Sequence, residues 1–411
     1  MRQYLIEQRL LPEQDEDELA AEVAAEIEQA IVDAEAQPQS PPGEAFTRVY
    51  ARPIRPIAGV PEEFSGTQAG LPALRESSAI PDGSPERSMI EAVRESINYA
   101  MAVDDRVFLL GEDVGARGGV FKASEGLITT FGDQRILDTP LAESAIIGVA
   151  IGAALRGLRP IAEIQFADFI HPAFDQIVSE AARIHYRSNG DFSVPLVIRA
   201  PYGGGVHGAL YHSQSIESLF AHVPGLKIVC PSTPADVKGL LLEALDDPDP
   251  VLFLEHKKAY RLIKGPFPEG DHRVPIGVAE IARAGDDMTL VTYGLQRHLA
   301  LEAAETLASE GTGNVEVVDL RTIAPFDRDA VLASASKTGR VLVVSEDNRT
   351  CSVASEICAL VAEEAFYDLD APVMRLATAD VPAMPFAGPM EQAVLITTER
   401  ILAAARKLLA V

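Results

Sequence analysis

Five runs set the middle of the chain: RVFLLGEDV (106–114), PIAEIQFAD (160–168), PLVIRAPYG (195–203), LKIVCPST (226–233) and PVLFLEH (250–256). Each is short, apolar and rich in β-branched residues, and the segments between them are long enough for crossover helices. Strands that read as continuous apolar runs are buried on both faces, which predicts a parallel, doubly wound α/β sheet. SMIEAVRESINYAMA opens the region as an amphipathic helix. HPAFDQIVSEAARIHYRS (171–188) reads as another, with Pro172 in its first turn and Phe174, Ile177, Val178, Ala181 and Ile184 as its buried stripe.

The theme returns on a smaller scale over residues 275–411. TLVTYG (289–294), NVEVVDLRTI (314–323), RVLVVSED (340–347) and VMRLATAD (373–380) read as strands among helical segments. A second α/β domain with parallel strands is expected there. The N-terminal side differs. Residues 1–50 hold three Arg against twelve Asp and Glu, a net of −9. Within them, residues 12–37 predict a helix with Leu19, Val23, Ile27, Ala30 and Ile31 on one face, docked by that face. Residues 51–87 are rich in Pro, Gly and Ser and predict an extended or disordered linker. The expected organisation is a helical tail (1–50), a linker (51–87) and α/β domains over 88–270 and 275–411.

Bulk properties exclude several classes. A formal net charge of −26 argues against nucleic acid and against an anionic membrane surface. The longest apolar stretch, AIIGVAIGAAL (145–155), has eleven residues, too few to span a bilayer. The N-terminus lacks the apolar core of a signal peptide and is too acidic for a transit peptide. Cys230, Cys351 and Cys358 form no CxxC and no even set, which fits a reducing cytoplasm with the thiols in the core.

No GxGxxG links a strand to a helix, and GARGGVF (115–121) reads as a turn. GxxxxGK[ST], GxSxG and zinc-spaced His/Cys clusters are absent too. The remaining candidates lie where strands end. TPLAESAIIGVAIGAALRG (139–157) puts Glu143 at the start of an apolar helix whose Gly148 and Gly152 allow a close neighbour. Such a carboxylate is either a dipole partner of the helix or, with its pKa raised by apolar surroundings, a group that shares a proton with a ligand nitrogen. EIQFADFIHPAFDQ (163–176) ends a strand with Gln165, Phe166, Asp168 and Phe169, at the end where open α/β sheets bind ligands. Core packing for the aromatics and turn stabilisation for Asp168 are the plain alternatives. His212, in GALYHSQS, lies in the loop after PLVIRAPYG, with Ser213 or Ser215 placed to cap the next helix. Its spacing alone assigns it no chemistry.

Taken together, LLGEDVGARGGVFKASEGL, TPLAESAIIGVAIGAALRGLRPIAEIQFADFIHPAFDQIVSEAA, GALYHSQSIESLFAHVPGLKIVCPSTPADVKGLL and LEHKKAYR resemble the β subunit of the decarboxylating component of 2-oxo acid dehydrogenase complexes. The resemblance runs from about residue 88 to the C-terminus, and GALYHSQS and EIQFADFI look most like the branched-chain enzyme, with pyruvate and acetoin dehydrogenases as relatives. It implies a thiamine-diphosphate-binding fold: a pyrimidine-binding α/β domain, then a transketolase C-terminal-type domain. It implies an α2β2 tetramer with thiamine diphosphate at the α–β interface, Mg2+ held by the α subunit through a GDG…N motif, and a dihydrolipoyl acyltransferase core with lipoyl domains as partner. By position, Glu143 corresponds to the glutamate that hydrogen-bonds the pyrimidine ring, Gln165 and Phe169 line the cofactor, and His212 faces substrate and lipoyl group as proton donor. The family often has Tyr at the Phe169 position, so a hydroxyl contact is lost here while stacking remains. Val194, Leu196, Ala244, Asp247 and Asp249 match a structural potassium site built largely from main-chain carbonyls. RTCSVASEI (349–357) departs from the family, which usually has glycines ahead of this helix.

The segment before SMIEAV resembles the C-terminal tail of the α subunit, as expected of an α–β fusion or of a decayed α gene. No GDG…N motif occurs, so the chain is expected to hold half of a cofactor site. A non-catalytic assembly subunit is the reading from another class.

Overall fold

The structure, a computed structural model, describes residues 2–71 and 73–411. Its strands, in chain order, begin with β1 (Glu86–Ser88), β2 (Val107–Gly111), β3 (Ile136–Asp138), β4 (Arg159–Glu163) and β5 (Val197–Tyr202). Next come β6 (Lys227–Val229), β7 (Val251–His256), β8 (Lys264–Pro266), β9 (Glu280–Arg283) and β10 (Met288–Thr292). The last are β11 (Val315–Asp319), β12 (Thr322–Ala324), β13 (Val341–Asn348) and β14 (Met374–Thr378).

A seven-stranded sheet has the order β12-β6-β7-β5-β4-β2-β3, parallel except at β12. Every residue of β2, β5 and β7 is buried, as a sheet covered on both faces requires. Successive residues serve opposite faces. Leu109, Val197 and Phe253 meet the Met89–Val103 and Pro234–Asp246 helices. Leu110, Ile198 and Leu252 meet the Glu143–Leu155 helix and Ile177. Capping boxes start two of these helices: Ser88 with Glu91, and Thr233 with Asp236. The smaller sheet, β14-β13-β10-β11-β9, is parallel except for β9. Val291, Val318 and Val343 on one of its faces join the same apolar cluster as Ile198 and Leu252, so the two sheets share a core.

Several expectations need correction. The run 314–323 is two strands in two sheets. Arg321 takes φ +55°, which turns the chain after β11 and delivers β12 antiparallel to β6. Residues 171–188 form no single helix. A 3-10 turn (His171–Ala173), a π-helical stretch (Gln176–Ala181) and a short α-helix (Ile184–Arg187) follow one another. The wider π turn changes the phase of the stripe, so Ile177, Ala181 and Ile184 are buried while Phe174 is 39% exposed. The Glu13–Ala36 helix forms, yet its apolar face is not docked: Leu19, Val23, Ile27 and Ile31 are 47, 45, 55 and 47% exposed. Cys351 is exposed rather than in the core, and it holds φ +56°, left-handed backbone that a glycine would adopt without steric resistance.

Residues 51–71 and 73–87 are not a loose linker. Ala51 and Arg52 donate their backbone N–H groups to Asp249 at 2.7 and 3.0 Å. Arg55 donates to the Gly277 carbonyl at 2.9 Å and pairs with Asp327 and Asp329. Ser78 exchanges two hydrogen bonds with the Arg273 backbone, at 2.8 and 3.0 Å. The segment is a strap across the join of the two sheets. Its backbone donors and arginines find carboxylates and carbonyls, which holds an otherwise aperiodic stretch in place.

Candidate active site

The parallel strands β2, β3, β4 and β5 all point their carboxyl ends at one region, and the four proposed cofactor and catalytic side chains follow those ends. Glu143 begins the Glu143–Leu155 helix, half-buried, and caps nothing. Among the described residues its carboxylate makes no side-chain hydrogen bond. Its charge is felt nearby: burial, then Asp113, then Glu143 push the Glu112 carboxyl upward. Gln165, just past β4, donates to the Glu112 carbonyl at 3.3 Å, which ties it to the same loop. Within this helix Gly148 faces Gln176, whose Oε1 lies 3.3 Å from where a Cβ would stand, while Gly152 opens to empty space.

Phe169 and His212 meet around Phe166. The imidazole stands edge-on to Phe166 with ring centres 4.5 Å apart, and its centre is 5.4 Å from that of Phe169. Phe121 packs on the far side of Phe166 at 5.3 Å and on Tyr260 at 5.2 Å. A cavity of about 370 Å³ opens beside them, lined by Phe121, Val206, Tyr260 and the cations Lys257, Lys258 and Arg261. Burial lowers the Lys257 ammonium to about 8, against the pull of Asp168 and Glu346.

The His212 loop is held from several sides. Asp168, buried, accepts from the backbone N–H groups of Ser213 at 3.2 Å and Gln214 at 3.1 Å. This is more than the turn-stabilising role expected for it. Neither Ser213 nor Ser215 caps the next helix, Glu217–Ala221, because Ser213 is drawn to Asp168 and Ile216 takes the cap position. From the C-terminal domain, Glu346 of β13 accepts from Gly204 N–H at 2.6 Å, and Glu391 of the Gly388–Val394 helix accepts from Gly205 and His207 N–H at 3.0 and 3.2 Å. Burial alone would raise the Glu346 carboxyl, but His256 and the donors of Gly204 and Gln296 outweigh it and hold the group at about 2. His207 and Ala209 take φ +56° and +55°, left-handed backbone that these anchors sustain. The sequence did not reveal Glu346 and Glu391 as supports, since both lie far along the chain from the loop they hold.

The residues matched to a potassium site lie at the other end of the sheet. Val194, Leu196, Ala244, Asp247 and Asp249 are all buried near the amino ends of β5, β6 and β7. Lys227 reaches in among them.

The carboxyl-end site fits a heteroaromatic cofactor. It has a carboxylate with no hydrogen-bond partner among the described residues, aromatic edges at Phe166 and Phe169, and a buried Thr139 hydroxyl and Asp168 Oδ2 without partners. Family comparison agrees with the fold. The transketolase pyrimidine-binding domain matches residues 86–263 and the transketolase C-terminal domain residues 277–401. The molecule is therefore of the transketolase type in both halves.

A 2-oxoisovalerate dehydrogenase β subunit from Bacillus subtilis is 59% identical over 321 residues, covering 78% of this chain and 98% of that protein. A pyruvate dehydrogenase E1 β subunit from the same organism is 44% identical, covering 79% and 99%. An acetoin:2,6-dichlorophenolindophenol oxidoreductase β subunit from Cupriavidus necator is 48% identical, covering 77% and 95%. The chain belongs to this family of β subunits of thiamine-dependent 2-oxo acid dehydrogenases. A solved split-gene transketolase, described as an inactive β4 tetramer, matches with a TM-score of 0.62 at 24% identity, covering 79% of this chain and 98% of that one, a likeness of fold.

Proposed function

We propose that the chain is the β half of a branched-chain 2-oxo acid dehydrogenase, acting with an α subunit and passing its acyl product to lipoyl groups of an acyltransferase. The observation that carries this is a Glu143 carboxylate with no side-chain hydrogen bond among the described residues at the same end of the sheet as a clamped, half-buried His212. The 59% identity to a 2-oxoisovalerate enzyme, against 44% to a pyruvate enzyme, supports the branched-chain substrate.

Each side chain has a distinct task in this reading. Thiamine diphosphate, when bound, supplies the electron sink for decarboxylation. Glu143 holds or shares a proton at a ring nitrogen of that cofactor, and Gln165 keeps the neighbouring Glu112 loop in position. Phe169 and Phe166 pack on the ring and keep water out. His212 donates a proton at the lipoyl sulfur, and its loop position leaves it within reach of a tethered arm. The cofactor's Mg2+ belongs to the α subunit. A reducing cytoplasm suits the free thiols.

The test is reconstitution. The chain with thiamine diphosphate, Mg2+ and an artificial electron acceptor is expected to be inactive alone and active once an α subunit is added. Faster turnover of 2-oxoisovalerate than of pyruvate is expected, and the reverse order would reassign the substrate. His212→Asn is expected to keep turnover with the artificial acceptor and lose acyl transfer to a lipoyl domain. Equal lipoyl transfer by the variant would remove His212 from the mechanism.

A further inference from the structure

The resemblance implies a potassium ion among Val194, Leu196, Ala244, Asp247 and Asp249, and the residues present do not fit one. Lys227, the first residue of β6, is fully buried. Its Nζ lies 2.8 and 2.7 Å from the two Asp247 carboxylate oxygens and 2.9 Å from Asp249 Oδ2. It also lies 2.8 Å from the Arg52 carbonyl oxygen. An ammonium has three N–H donors, and here it meets three acceptor groups at charge-assisted distances.

Several of the oxygens that would ligate a metal are committed elsewhere as well. The Leu196 carbonyl accepts from Val251 N–H at 2.8 Å within the sheet. Asp249 accepts from Ala51 and Arg52 N–H, and Asp247 Oδ1 accepts from Asp249 N–H at 3.0 Å. Lys227 answers one of the two carboxylates, and the Arg52 guanidinium, 3.3 Å from Glu243, stands 4.0 Å from Asp247 at the rim. The Tyr50 ring, 5.7 Å from Lys227 Nζ, closes that side. A second cation between these carboxylates would sit against the ammonium in a site shielded from water, where repulsion is strong.

We infer that the Lys227 ammonium is the built-in cation of this site, sealed by Tyr50 and by Ala51 and Arg52 of the strap, and that the protein takes no potassium there. The strap lies outside the residues matched by the two domain families, so this closure is a feature of the longer chain.

Thermal unfolding of the full chain in potassium, sodium and tetramethylammonium chloride at equal ionic strength tests it. The same midpoint is expected in all three. A midpoint that rises selectively and saturably with potassium would overturn the inference. Thallium(I), a potassium mimic, soaked into crystals is expected to give no anomalous peak between Asp247 and Asp249, and a peak there would equally overturn it. Lys227→Met keeps the apolar stem and removes the charge. Its midpoint is expected to fall in tetramethylammonium and to recover in part with potassium, and an unchanged midpoint in every salt would count against the inference. If the variant does not fold, the wild-type melts and the thallium experiment decide.

Discussion

The two ends of the seven-stranded sheet are built on opposite terms. At the amino ends, Lys227, Asp247, Asp249 and Arg52 answer one another's charges, and the strap seals them in. At the carboxyl ends, Glu143 has no side-chain hydrogen bond among the described residues, Thr139 and Asp168 keep buried polar atoms unmatched, and His207 and Ala209 hold left-handed backbone. Leu141 and Tyr211, beside Glu143 and His212, are 73 and 64% exposed. One end satisfies its polar groups within the chain and stabilises the fold. The other leaves groups unmet, which a ligand or partner can complete.

Glu143→Gln is the sharpest way to separate the two ends. It is expected to lower decarboxylation by the reconstituted enzyme by roughly 10²- to 10⁴-fold while leaving the melting midpoint unchanged, because among the described residues the carboxylate makes no side-chain hydrogen bond. Steady-state kinetics beside a thermal melt checks both halves of this statement. Lys227→Met should do the converse. Removing one member of a buried ion pair costs about 3–5 kcal/mol of stability, read by urea unfolding in a potassium-free buffer.

Acid should break the support of the His212 loop. The Glu346 carboxyl is held at about 2 in the folded chain, below its usual 4.5, so its contribution is complete above pH 4.5 and is lost as pH falls toward 2. That window corresponds to roughly 3 kcal/mol. Unfolding measured across it should show a weaker pH dependence in Glu346→Gln. The smallest effect is expected from Asp168→Asn, which weakens two backbone anchors of the His212 loop at a cost of about 1–3 kcal/mol. Lipoyl acylation should fall more than turnover with an artificial acceptor, and an equal fall in both would make Asp168 a general stability residue.

The parallel sheet was legible in the sequence because the apolar runs of β2, β5 and β7 have a local cause: strands buried on both faces carry no polar alternation. Glu143, Gln165, Phe169 and His212 were singled out as candidates only by an ordered motif series, since periodicity alone left each with a structural alternative. The strap was illegible. Its partners Asp249, Arg273 and Asp327 lie far along the chain, so 51–87 has the composition of a linker while making the contacts of a clamp. Lys227 was hidden for the same reason, as one charge at the edge of an apolar run, given meaning only by residues brought to it in space. Arg321 concealed the split between β11 and β12 because nothing in its residue type announces a positive φ.

That split has a consequence for how the chain is made. Strand β6 pairs with β7 on one side, and its other edge waits for Thr322–Ala324, which follow β11 of the other sheet. On the ribosome the first sheet emerges with this edge open, and it stays open until much of the second has been synthesised. The two domains are thus stitched rather than merely adjacent. A fragment ending between them would leave β6 with unpaired backbone donors and acceptors on its outer edge, a template for association with another chain.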